Sequence, residues 1–112
     1  MALTRGKLSN VVVVGAASTA GIVTCASSKK VYVKSILAHA GTGASTSADI
    51  YFIPNAGTAT SDTRIARMDV QSGETVFFEP SYPLVLSTTG DQISVGAGAS
   101  TCNFIVTGDV ES

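Results

Sequence analysis

The chain has 112 residues, of which 45% are hydrophobic and 13% are charged, and its formal net charge at pH 7 is -1. One histidine, two cysteines and eight carboxylates leave little material for an active site, which usually needs several convergent titratable groups. The chain also lacks the excess of Lys and Arg with which nucleic-acid-binding proteins contact phosphate. The composition therefore argues against an enzyme and against a nucleic-acid partner.

The low content of charged residues also bears on association. A typical soluble domain has about 25% charged residues, so hydroxyl groups and small side chains must cover much of the surface of this chain. Such a surface has less charge repulsion to keep neighbouring molecules apart. We therefore expect a homo-oligomer.

Residues 1–26 are predicted to form an N-terminal arm and the first strands, and residues 27–112 to form the β-sandwich core, in one domain overall. The arm has features of a secretory signal, because Arg5 and Lys7 precede the apolar run Val11–Val14. Glycine and hydroxyl residues soon interrupt that run, whereas a bilayer span takes about 20 predominantly apolar residues. We expect an extended arm and no membrane association.

Apolar and polar residues alternate with a period of two along most of the chain, and no stretch has the 3.6-residue period of a helix. The predicted strands are Val11–Val14, Ile22–Ala26, Val31–His39, Asp49–Ile53, Thr63–Val70, Glu74–Glu79, Leu84–Leu86, Gln92–Val95 and Thr101–Thr107. Ala16–Gly21 and Ala40–Ala48 are predicted to be loops, and Gly108–Ser112 a polar tail. About eight or nine short strands at this spacing predict an all-β fold with almost no helix. The expected architecture is an antiparallel β-sandwich with either an immunoglobulin-like or a jelly-roll strand order, and a barrel is a further alternative.

The strand Val31–His39 carries apolar residues on both of its faces. Simple alternation places Val31, Val33, Ser35, Leu37 and His39 on one face and Tyr32, Lys34, Ile36 and Ala38 on the other. A strand of this kind fits the centre of a sheet, or a position whose outer face meets another subunit.

The residues capable of chemistry are isolated from one another. His39 has no second histidine or nearby cysteine, whereas a metal site needs three or four ligands. Cys25 and Cys102 both fall within predicted strands, which favours buried thiols over a disulfide. The glycine pairs at Gly41–Gly43 and Gly96–Gly98 lack the lysine of a phosphate-binding loop. We assign no catalytic residue, no cofactor site and no metal site.

Several strand-and-turn segments together resemble a known class of protein. They are Ser27–Leu37, Asp49–Pro54, Gly73–Pro80, Pro83–Leu86 and Gly90–Val95. In these segments, and across Ser27–Glu111 as a whole, the chain is similar to small virion structural proteins of tailed bacteriophages. The resemblance implies a β-sandwich component of the capsid exterior, made in the host cytoplasm. It implies a capsid decoration, or cement, protein whose partner is the major capsid protein.

For such a protein we expect the arm Ala2–Asn10 to grip a capsid protein or a neighbouring subunit. Arg5 and Lys7 would supply polar contacts, and Leu3 and Leu8 would act as small apolar anchors. A closed ring, with threefold symmetry as the simplest match to a capsid lattice, is the expected oligomer.

A second hypothesis is a glycan-binding or receptor-binding β module of a phage tail or fibre. Sugar recognition uses exposed aromatic side chains with convergent polar groups. Tyr82 is the best candidate for a glycan contact, because it lies between Ser81 and Pro83 in a rigid corner.

Overall fold

The computed structural model describes residues 3–41 and 44–112. In these residues the chain forms ten strands and no helix. The strands are β1 (Leu3–Lys7), β2 (Val12–Val14), β3 (Ser18–Thr24), β4 (Lys30–His39), β5 (Thr46–Ile53), β6 (Arg64–Val70), β7 (Thr75–Phe78), β8 (Leu84–Leu86), β9 (Gln92–Ala97) and β10 (Cys102–Glu111). All paired strands are antiparallel and form two sheets that pack face to face around one core. This confirms the prediction of an antiparallel β-sandwich.

The strand order identifies the type of sandwich. Sheet A has the order β1-β10-β4-β7, with β2 also paired to β10 and β8 also paired to β4, and sheet B has the order β3-β9-β5-β6. If β1 with β2 and β7 with β8 are each counted as one position, eight positions lie in the orders 1-8-3-6 and 2-7-4-5. This is the double Greek key of a jelly roll, and it differs from the immunoglobulin order.

The core lies between the two sheets and is built from the inward side chains of both. Phe104 and Ile36 of sheet A and Ile50 of sheet B are completely buried there. The central strands of the two sheets supply most of the buried core residues. Neighbouring strands cover both edges of each central strand, so its inward side chains are shielded from water. The composition of the core is mainly Val and Ile, which pack well on a pleated surface.

A β-bulge in β4 overturns the predicted faces of that strand. Thr107 of β10 pairs with Ser35 and Gly108 pairs with Val33, so Lys34 is an extra residue in the ladder. The bulge shifts the alternation by one residue. As a result Val31 and Val33 face the core in the first half of β4, but Ile36 and Ala38, not Leu37, face it in the second half.

The structure also corrects three loop predictions. Gly108–Glu111, predicted to be a tail, is strand and pairs with both β1 and β4. Ser18–Gly21, predicted to be part of a turn, belongs to β3, and β5 begins at Thr46 inside the predicted loop Ala40–Ala48. These stretches are rich in small and hydroxyl residues, so local composition indicated loops where pairing with neighbouring strands decides the conformation. Thr42 and Gly43 of the predicted glycine loop lie outside the described residues.

Candidate functional site

The outer face of sheet A carries a row of three apolar side chains at one end, next to a row that is mostly polar and uncharged. Ile105 of β10 pairs with Leu37 of β4, which in turn pairs with Phe77 of β7, and in the next row Asn103 lies between Val13 and His39. Phe77 and Val13 are 57% and 64% exposed. No Lys, Arg, Asp or Glu occurs in these two rows. We call Val13, Leu37, Phe77 and Ile105 the apolar half of the face.

At the opposite end of the same face the side chains are polar and charged. Tyr32 and Lys34 of β4, Asp109 and Glu111 of β10, Leu3 of β1 and Pro83 line a groove of about 240 Å³. We call it the Tyr32 groove. Strand pairing brings these residues together, because the C-terminal half of β10 lies between β1 and β4.

Two polar contacts fix the side chains of the Tyr32 groove. The Lys34 ammonium lies 2.7 Å from Asp109 Oδ2, and the Tyr32 hydroxyl donates a hydrogen bond of 3.1 Å to Glu111 Oε1. Desolvation raises the pKa of the Tyr32 phenol, and the bond to the Glu111 carboxylate raises it further. The phenol therefore keeps its proton and acts as a donor at neutral pH. Asp109 is only 5% exposed.

A second cavity of about 300 Å³ adjoins this groove and shares Glu111 with it. Its other lining residues are mostly hydroxyl and ammonium side chains, namely Ser28, Lys29, Lys30, Ser87, Thr89 and Ser112. Glu111 thus stands between two concave surfaces, one with an aromatic wall and one rich in hydroxyl groups.

The predicted arm is the edge strand of sheet A. Leu3, Arg5 and Lys7 lie in β1 with exposed side chains, whereas Leu8 follows the strand and packs against the core. The Leu8 amide donates to the Val106 carbonyl at 2.7 Å, and the Lys7 ammonium donates to Asn10 Oδ1 at 2.6 Å. Ala2, the first residue of the predicted arm, lies outside the described residues.

The structure brings together only some of the residues singled out from the sequence. Tyr82 is 87% exposed and immediately precedes Pro83, which lines the Tyr32 groove with Leu3. The sequence interpretation missed the rest of the groove, because Tyr32 and Glu111 are far apart in the chain. One feature of the sequence could have indicated the groove. Asp109 and Glu111 are two residues apart, so both carboxylates lie on one face if the segment is a strand.

The two cysteines lie in the core of the sandwich. Both cysteines are free thiols, and Cys25 and Cys102 are 1% and 0% exposed, as expected of buried thiols. Cys25 Sγ contacts the carbonyls of Lys29 and Leu86 at 3.2 and 3.3 Å. Within residues 3–41 and 44–112, no three His, Cys, Asp or Glu side chains lie close enough to hold a metal ion. The same residues include no helix of the length and hydrophobicity needed to cross a membrane.

Comparison with known proteins supports the fold. No protein-family model matches this chain, and no curated protein matches its sequence. Among solved structures, the chain is similar to a subunit of Bacillus endospore appendages, described as disulfide-linked pili, with a TM-score of 0.57 and 20% identity over 98% of this chain and 88% of the other. It is also similar to a chain from the structure of infectious bursal disease virus, Gx strain, with a TM-score of 0.53 and 10% identity. That match covers 97% of this chain but 31% of the viral chain.

Proposed function

We propose that this protein is a structural subunit of a virus particle and acts through contact area, without catalysis. In the specific form of the proposal, it is a bacteriophage capsid decoration protein that binds the major capsid protein on the capsid exterior. The observation that carries the proposal is the apolar half of sheet A, where Ile105, Leu37 and Phe77 form one outward-facing cross-strand row and Val13 faces outward in the next row, opposite Asn103.

The physical argument starts from the usual pattern of an antiparallel sandwich. One face of each sheet packs on the core and the other faces water, so the outer face is normally polar. Covering exposed apolar surface with a partner stabilises the complex by about 25 cal/mol per Å² of buried area. The central part of protein interfaces is also depleted in charged residues. The two rows of the apolar half contain no charged residue, and Phe77 is an exposed aromatic side chain of a type that is enriched at protein interfaces.

The structural neighbours support a role in assembly. One belongs to an appendage pilus and the other to a virus. A homo-oligomer on the capsid surface fits the weakly charged composition, and many copies would stabilise a shell by binding only its assembled state. The exposed strand β1, with Leu3, Arg5 and Lys7, is the proposed second contact.

The test is binding of the purified protein to undecorated capsids of the phage that encodes it, measured by co-sedimentation. The double variant Val13→Ser with Phe77→Ser should bind at least tenfold more weakly, because it removes the apolar anchors from an exposed face without touching the core. Ile65→Ser is the matched control, because Ile65 is also exposed and apolar but lies on β6 of sheet B. Unchanged occupancy of the double variant would reject the apolar half as the attachment surface.

The same assay tests the arm. Removal of residues 1–7 should lower occupancy while the rest of the sandwich stays folded, because the described part of this segment contributes no buried side chain. Full occupancy of the truncated protein would exclude the arm from the attachment.

A further inference from the structure

The Tyr32 groove differs from the apolar half in chemistry, although both lie on the outer face of sheet A. Two carboxylates, an ammonium group and a phenol converge in it, and Leu3, Pro83 and the Tyr32 ring supply apolar walls. Small-molecule sites typically combine such walls with a few well-placed polar groups. The groove therefore fits a small polar ligand better than a flat protein contact.

The hydrogen-bonding capacity of the groove specifies the kind of ligand. Each carboxylate offers about four acceptor sites. Among the described side chains, Asp109 forms a salt bridge with Lys34, and Glu111 accepts a hydrogen bond from Tyr32. Acceptor sites therefore remain on both carboxylates. Lys34 has three N–H donors and uses one of them on Asp109. A ligand with several adjacent hydroxyl groups would satisfy these sites, since each hydroxyl both donates and accepts.

The charge and size of the groove limit the classes of ligand that fit it. The lining has one cationic and two anionic side chains, so its formal charge is -1 and it disfavours phosphate, sulfate and acidic sugars. A volume of about 240 Å³ suits a single sugar ring. The aromatic wall suits the C–H face of a pyranose, because a ring of carbon-bound hydrogens packs on the negative face of an aromatic system.

We propose that the Tyr32 groove binds one ring of a neutral saccharide, with Asp109 and Glu111 accepting from its hydroxyl groups, Lys34 donating to its oxygens and Tyr32 packing on the ring. This inference does not rest on the apolar half, which lies at the other end of the face, although Leu3 of the proposed second capsid contact also lines the groove. The adjoining cavity at Glu111, with its Ser and Thr hydroxyls, provides room for a second ring. Affinity for one ring is expected on the order of 1 mM or weaker, and many copies on one particle would raise the avidity.

The experiment is an amide chemical-shift titration of the purified protein with the methyl glycosides of glucose, galactose, mannose and N-acetylglucosamine. At least one glycoside should shift the amides of Tyr32, Asp109 and Glu111 with saturable, millimolar binding. Tyr32→Ala should weaken this binding at least tenfold, and Glu111→Gln should weaken it several-fold. The spectra also report folding, so if Tyr32→Ala unfolds, Glu111→Gln decides the test.

Tyr82→Ala is the matched control, because Tyr82 is an exposed tyrosine beside the groove and outside its lining. The affinity of the Tyr82→Ala variant for the glycoside should stay within twofold of the affinity of the unaltered protein. The proposal is overturned if no neutral glycoside shifts the groove amides, or if neither groove variant weakens binding. It is also overturned if inorganic phosphate binds there more tightly, or if only Tyr82→Ala abolishes binding, which would move the site to the exposed corner.

Discussion

Asp49 and Asp109 show how similar carboxylates differ in what they leave for a ligand. Both are at most 5% exposed, and each lies on the outer face of its sheet beside a cationic side chain. Arg67 binds Asp49 through two N–H groups at 2.8 and 3.0 Å, and the Tyr51 hydroxyl adds a third contact at 3.5 Å. Asp109 receives a single contact from Lys34. The carboxylate on sheet A therefore has more free acceptor capacity than the carboxylate on sheet B, which favours sheet A as the binding face.

The two cysteines predict how stability depends on pH. Burial raises the pKa of both thiols, and the Asp91 carboxylate adds to the shift at Cys25. An unfolded thiol ionises near a pH of roughly 8.5, so above that pH the unfolded state releases protons that the folded state retains. The contribution of the protonated thiols to the free energy of unfolding is therefore fully present below about pH 8.5. It is lost as the pH rises toward the raised pKa of the folded thiols.

Urea unfolding at about pH 7.5 and about pH 9.5 checks this expectation. The free energy of unfolding should be lower at the higher pH, and the double variant Cys25→Ala with Cys102→Ala should lose less over the same interval. Tyr32, whose pKa is also raised in the folded state, is present in both proteins, so the difference between their losses reports the thiols. An equal loss in both proteins would mean that the thiols are not responsible.

At the scale of elements, the bulge between β4 and β10 shapes the candidate site. Gly108 lies where the register shifts, and a Cβ at this position would overlap the backbone carbonyl oxygen of Tyr32. A backbone atom in a central strand cannot move aside cheaply, so Gly108→Ala should lower the free energy of unfolding by about 3 kcal/mol. Gly15→Ala, where a Cβ would meet nothing within 4 Å, should change it by less than about 1 kcal/mol.

Chemical denaturation of the two glycine variants measures both values. Because the bulge also orients Tyr32, the Gly108 variant should disturb the amide signals of the groove even where it remains folded. If Gly108→Ala is as stable as Gly15→Ala, close approach at the bulge does not constrain this part of sheet A.

The elements also show what the sequence can predict. The sequence predicts Leu84–Leu86 with its observed bounds and starts Val31–His39 one residue late, because both are apolar-rich segments bounded by turn residues. The faces of β4 were wrong because the bulge depends on Gly108, which is far away in the chain. The Tyr32 groove was missed for the same reason, since its members meet only through the pairing of β10 with β1 and β4.

At the scale of the whole molecule, sheet A separates two kinds of surface. The apolar half lies where β2 and β7 flank β10 and β4, and the Tyr32 groove lies where β1 and β8 flank the same two strands. One sheet thus presents an uncharged area and a polar concavity at its two ends. Substitutions at Val13 and Phe77 can therefore test capsid binding without altering the Tyr32 groove, whereas removal of residues 1–7 also removes Leu3 from that groove.

Burial of the thiols predicts that the proposed homo-oligomer forms without disulfides between subunits. One structural neighbour belongs to disulfide-linked pili, but both cysteines here are at most 1% exposed and cannot reach a neighbouring subunit without unfolding. The mass of the protein in solution, measured by light scattering, should therefore be the same with and without dithiothreitol. A chromogenic disulfide reagent should react with the thiols slowly in the native protein and rapidly in denaturant. Loss of mass on reduction, together with fast native labelling, would show instead that the thiols are accessible and that disulfides join the subunits.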